Sequence, residues 1–184
     1  MRSVKWVVTI YMTFALWGSC KSPNASESGV MTNVPTLDTL TETTAIGNLL
    51  DSFNLAAANA DFQRYFDFYA DDATFLGTDA TEHWNKNAFM VWAKPYFDKG
   101  KAWNFKSVQR HIYFYHHPDI AWFDELLSTQ MKICRGSGVV VKQKGQWKIK
   151  QYVLSITFPN ARIQDAIAAK ASAEDSLIQV LIKH

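Results

Sequence analysis

The sequence predicts an α+β domain: three helices, then a curved antiparallel sheet, then one further helix. Three observations predict it. Apolar residues recur at helical spacing in three segments between residues 43 and 100. From about residue 103 the period changes to two. Turn signals at His117-Pro118-Asp119, Ser128-Thr129 and Lys144-Gly145 then divide that stretch into strands over 103–116, 119–127, 130–143 and 146–158.

Each element follows from its residues. Thr43 or Thr44 can cap the first helix, whose stripe runs through Ile46, Leu49, Leu50, Phe53, Ala56, Ala57 and Ala60. Asp61 can cap a second, carrying Phe62, Tyr65, Phe66 and Tyr69 on one face. Ala-Thr-Phe-Leu-Gly at 73–77 reads as a short strand, and the polar loop TDATEHWN leads out of it. The third helix spans about Lys86 to Tyr96, with Phe89, Trp92, Ala93 and Tyr96 inward, and Gly100 breaks the chain after it. Residues 161–184 carry Ile163, Ile167, Ile178 and Leu181 at helical spacing and read as a C-terminal helix docked on the domain.

The chain has 184 residues, 48% of them apolar and 14% aromatic, which suffices for one packed core. Residues 1–19 have the form of an export signal. Arg2 and Lys5 precede the apolar run 6–16, which is short for a bilayer span, and Trp17-Gly18-Ser19 leads to Cys20. That pattern resembles a lipobox with Trp17 in the place usually held by leucine. It implies lipidation at Cys20, anchoring in the bacterial cell envelope and a domain outside the cytoplasm, with secretion in soluble form as the alternative. Without Arg2 and Lys5 the chain carries 17 basic and 17 acidic residues, a balance that argues against a nucleic-acid partner. Residues 20–42, rich in Ser, Thr, Asn and Pro, read as a tether, leaving 43–160 as the folded domain and 161–184 as an extension. With Cys20 lipidated, Cys134 has no partner for an intramolecular disulfide and reads as a buried thiol.

Four segments carry a family resemblance, in this order: YADDATFLGTDATEHW, AWFDE, RGSGVVV and QWKIKQYVLSITFPN. Together they resemble the SnoaL-like domains of the nuclear-transport-factor-two-like superfamily, over about residues 45 to 160. The resemblance implies a cystatin-like cone of helices on a curved sheet, a pocket at its wide end and a homodimer through the sheet. Relatives include isomerases, dehydratases, polyketide cyclases and binding modules without catalysis, so the fold does not set the function. Ketosteroid isomerase chemistry is disfavoured. The base position falls near Leu76 or Gly77 and the oxyanion tyrosine near Phe53, and none of the three can do that work.

Two places could carry chemistry. In AWFDE one carboxylate must share a face with Trp122. With Ser128-Thr129 as a two-residue turn, Trp122 faces Arg135, and Asp124 lies diagonal to Arg135 on the same face. A longer loop would bring Glu125 to that face instead. Asp124 with Arg135 is either the polar floor of a pocket or a structural ion pair. The second place is the loop Thr78–Trp84, where Asp79 and His83 could act as acid and base. Trp84, Trp92, Tyr96, Trp122 and Tyr152 complete the expected pocket with Arg110, whose face the pattern leaves open. No metal-ligand spacing is present among Asp79, His83, His111, His116 and His117, and no cofactor motif is found. The expected function is an envelope-tethered pocket protein that binds a small apolar or mixed-polarity ligand, without a complete catalytic set. The alternative is an isomerase, dehydratase or hydrolase using a pocket aspartate with Arg or His.

Overall fold

The structure, a computed structural model, describes residues 38–115 and 117–183. The leader, Cys20, most of the tether and His116 lie outside the described residues.

Helix α1 (Thr39–Ala58) begins four residues before the expected cap, inside the segment read as tether. Asp38 is the cap, and its carboxylate accepts from the Thr41 amide at 3.3 Å and the Thr41 hydroxyl at 2.5 Å. The stripe read from the sequence is the buried face: Ile46, Leu50, Phe53 and Ala57 are closed off from solvent. Each large member contributes roughly 1.5–3 kcal/mol by leaving water. Asp61 caps α2 (Phe62–Asp67) and Asn85 caps α3 (Lys86–Asp98), each through its side-chain oxygen. Pro95 lies within the last turns of α3, and Gly100 at φ 68° follows the helix end.

Six strands form one sheet in the order β2-β1-β6-β5-β4-β3. They are β1 (Tyr69–Leu76), β2 (His83–Asn85), β3 (Lys106–Phe114), β4 (Ile120–Thr129), β5 (Lys132–Gln143) and β6 (Gln146–Ile156). The sheet is curved and mixed rather than wholly antiparallel, because β1 pairs parallel with β6. Two strands precede the third helix, so that α3 crosses between β2 and the meander β3–β6. A 3-10 turn at Asn160–Arg162 leads into α4 (Ile163–Leu181), which buries Ala166 and leaves most of its length exposed.

The β4–β5 turn lies at Gln130-Met131, two residues beyond the expected Ser128-Thr129, and Thr129 pairs with Lys132. The Thr129 hydroxyl fastens it, accepting from the Met131 amide and donating to the Lys132 carbonyl. The register therefore slides by four residues, an even number, so Trp122, Asp124 and Arg135 still share one face of the sheet. Trp122 now faces Val139, and Asp124 faces Ser137.

Glu42, placed in the tether by the sequence reading, fixes the start of α1 to the β5–β6 hairpin. Its two oxygens accept from Lys142 Nζ at 2.5 Å and Trp147 Nε1 at 2.6 Å. Those hydrogen bonds, Lys142 first, hold the Glu42 carboxyl below its ordinary 4.5. A depressed carboxyl stabilises the fold above its unfolded value, and that contribution is lost as pH falls through the folded value. The wild type should therefore exceed Glu42→Gln in stability by about 1–2 kcal/mol at pH 7. Thermal melts taken from pH 7 to pH 3 should show the gap closing below about pH 4.5. A gap unchanged at pH 3 would contradict this role.

Candidate functional site

Between the helices and the inner face of the sheet lies a cavity of about 280 Å3. Its floor is Phe53 from α1, Tyr65 from α2 and Tyr152 from β6, all buried. Trp92 and Tyr96 on α3, 38% and 45% exposed, stand at its rim with Trp103 beside them. Gln130 and Met131 of the β4–β5 turn and Thr78 and Glu82 of the β1–β2 loop complete it. The walls are mostly aromatic because helical spacing on α3 and strand alternation on β1 and β6 aim their rings to one side. Phe75 and Phe89 stack at 4.0 Å, and Trp84 lies against Trp92 at 4.8 Å.

Beneath Tyr152 is a buried carboxylate. Glu125 is 0% exposed and shares the inner face of β4 with Ala121, Phe123 and Leu127. Its Oε2 accepts from Arg110 Nε at 2.9 Å and Arg110 Nη2 at 2.8 Å. Its Oε1 accepts from the Tyr152 hydroxyl at 3.0 Å. Arg110 Nη1 reaches α1, donating to the Gly47 carbonyl at 3.1 Å and pairing with Asp51 at 2.9 Å. Burial pulls the Arg110 pKa down, but the charge of Glu125 and the contact with Asp51 leave it raised. Tyr152 is pushed well above the ordinary tyrosine range by burial first and by Glu125 second. Its proton is held, so it is a hydrogen-bonding group rather than a ready acid.

Gly136 on β5 makes this arrangement possible. A Cβ there would collide with the Tyr152 hydroxyl and crowd Glu125 Cγ at 3.1 Å. The RGSGVVV segment is thus glycine-bearing where the β6 tyrosine must approach the backbone.

The structure places the expected site residues in three groups. Trp92, Tyr96 and Tyr152 line the cavity, Trp84 stacks behind its rim, and Arg110 lies behind Tyr152. Trp122, Asp124 and Arg135 are corrected: they occupy the opposite, outer face of the sheet. Asp124 does lie diagonal to Arg135, at 3.9 Å, with Trp122 41% exposed. There Asp124 also accepts from Tyr113 at 3.1 Å and contacts His111 at 3.3 Å. Partial burial acts upward on its carboxyl, but these partners hold it below the ordinary value. Asp79 and His83 do not form a pair. Asp79 caps its own loop by accepting from the Thr81 amide and hydroxyl, and His83 is exposed. The loop itself reaches the cavity, through Thr78 and Glu82. Among the described residues no group of His, Cys, Asp and Glu gathers as a metal site would need. Cys134 is buried and unbridged.

Sequence reasoning missed Glu82 and held Glu125 only as the alternative to Asp124. A signal for Glu125 was present. A β3–β4 hairpin centred between His117 and Pro118 sets Arg110 directly opposite Glu125, as observed.

Comparison with known proteins gives the family. The family model described as SnoaL-like domain matches residues 46–159. Among solved structures, an NTF2-like protein of unknown function from Pseudomonas putida KT2440 superposes with a TM-score of 0.57 at 18% identity, covering 67% of this chain and 92% of that one. A putative scytalone dehydratase from Novosphingobium aromaticivorans gives 0.56 at 15% identity, covering 65% and 87%. A cystatin-like domain of unknown function from Nostoc punctiforme gives 0.56 at 14%, covering 78% and 96%. At these identities the likeness shows the fold alone. No curated protein matches the sequence. The chain belongs to the SnoaL-like domain family, on the family match over residues 46–159 and the shared fold.

Proposed function

We propose that the protein is a small-ligand binding module, tethered to the bacterial envelope through Cys20 and acting without catalysis. The observation that carries the reading is the aromatic cavity over a fully paired polar network. The charged groups of that network are matched to one another: Glu125 takes three hydrogen bonds, and Arg110 gives its own to Glu125, Gly47 and Asp51. A catalytic acid or base needs an open partner position for the reacting atom, and this network offers none. A cavity of about 280 Å3 lies near the small end of ligand sites. The tether part of the proposal is supported by the basic, apolar and small-residue pattern that ends at Cys20.

The neutral dye phenylnaphthylamine tests the cavity. It should bind and gain fluorescence, and Met131→Trp, which fills the mouth, should weaken it at least about tenfold, or about 1.4 kcal/mol. Binding unchanged in a folded Met131→Trp protein would contradict the assignment.

A second reading rests on two observations: Tyr152 forms part of the floor of the cavity, and a fold neighbour is described as a putative scytalone dehydratase. It would make the protein a dehydratase-type enzyme in which Tyr152 orients the substrate. Turnover lost in Tyr152→Phe with dye binding retained would favour this reading over the first.

The proposal includes a homodimer through the outer sheet face. Its support is the exposed Tyr113–Trp122 stack, 5.7 Å between rings, with exposed Ile120 beside it on β4 and exposed Ile133 further along the same face on β5. Sedimentation should give a dimer for the wild type and a monomer for Trp122→Glu. A wild-type monomer at micromolar concentration would overturn the dimer.

A further inference from the structure

The cavity contains one acid and no base. Among the described residues that line it, Glu82 alone carries a formal charge, with no Lys, Arg or His among them. Glu82 is fixed in place. Its Oε2 accepts from the Asp79 amide at 3.2 Å, its backbone carbonyl accepts from the Gly77 amide at 2.9 Å, and a side chain at Gly77 would collide with the carboxylate. Among the described residues Glu82 has no ion pair, and its Oε1 accepts no hydrogen bond.

The rings that line the cavity with it are of the kind that attract cations. Trp92 and Tyr96 lie 5.0 Å apart, and Trp103 is 6.4 Å from Trp92. Indole and phenol faces carry partial negative charge and draw a cation placed within about 6 Å of a ring centre, most strongly where water is partly excluded. An anionic ligand would meet the carboxylate and the ring faces together, both repulsive. A wholly apolar ligand would cover Glu82 without satisfying it, at a desolvation cost. Arg110, the half-buried cation behind Tyr152, is paired with Glu125 and Asp51 and does not line the cavity.

We propose that the cavity selects a small organic cation, an alkylammonium whose charged head sits against Glu82, Trp92 and Tyr96. The apolar part of the ligand lies on the Phe53–Tyr65–Tyr152 floor. The proposal rests on the reading of the cavity as a ligand site and adds the charge of the ligand to it.

Choline and its neutral carbon isostere, dimethylbutanol, separate the charge from the shape. Calorimetric titration of the purified chain should show choline binding at least about tenfold more tightly than the alcohol. Glu82→Gln should remove most of that preference and leave the alcohol unchanged. Glu82 lies in a surface loop, and phenylnaphthylamine binding by the variant shows that its cavity is intact. Choline no tighter than the alcohol, whether both bind or neither does, overturns the cation proposal. So does a preference that survives Glu82→Gln. If the dye still binds in either case, the ligand site stands without its cation. If the dye fails as well, the cavity assignment falls with it.

Discussion

A carboxylate sealed inside the domain is the constraint on which the rest of this structure depends. Glu125 is closed off from solvent, so its charge must be met from within the fold. Arg110 meets it from β3, Tyr152 from β6, and Arg110 is in turn held by Gly47 and Asp51 of α1. One charged group thereby ties a helix to three strands, and the fourth, β5, must carry glycine at 136 to let the tyrosine in. Such a network sets geometry more than it adds stability. A well-packed apolar cluster could stabilise as much, but it would not fix the tyrosine hydroxyl at one place under the cavity.

The cavity is a consequence of that geometry. Tyr152 is held down toward Glu125 and forms part of the floor. The rings of α2 and α3 pack on one another above it rather than filling the space. The polar chemistry of the domain is thus split by depth: a closed, compensated network below, and a single uncompensated carboxylate, Glu82, at the side of the cavity.

The fold was largely legible in the sequence, because the change from helical to alternating period is a strong signal and caps such as Asp61 and Asn85 are local. The start of α1 was not. Its first turn is held by Glu42 reaching Lys142 and Trp147, 100 and 105 residues away, a contact invisible to local pattern. The parallel β1–β6 pairing was hidden for the same reason. The site was legible in part. Tyr152, Trp92 and Tyr96 follow from periodicity, and the glycines of RGSGVVV are where a close approach occurs. The two carboxylates of AWFDE were assigned the wrong depths. On β4 both faces are apolar, Ala121, Phe123 and Leu127 on one and Ile120, Trp122 and Leu126 on the other, so alternation alone cannot say which is inside. Trp122 biases the choice inward, yet it belongs to the outer face. The pairing of Arg110 with Glu125 across the β3–β4 turn is the observation that decides it.

The most direct test of the account compares two acid-to-amide changes in adjacent residues by denaturant unfolding at neutral pH. Glu125→Gln should cost about 3 kcal/mol, because it leaves Arg110 short of its buried counter-charge. Asp124→Asn, on the solvent side of the same strand, should cost no more than about 1 kcal/mol. Equal losses, or a larger loss at Asp124, would contradict the claim that Glu125 organises the fold.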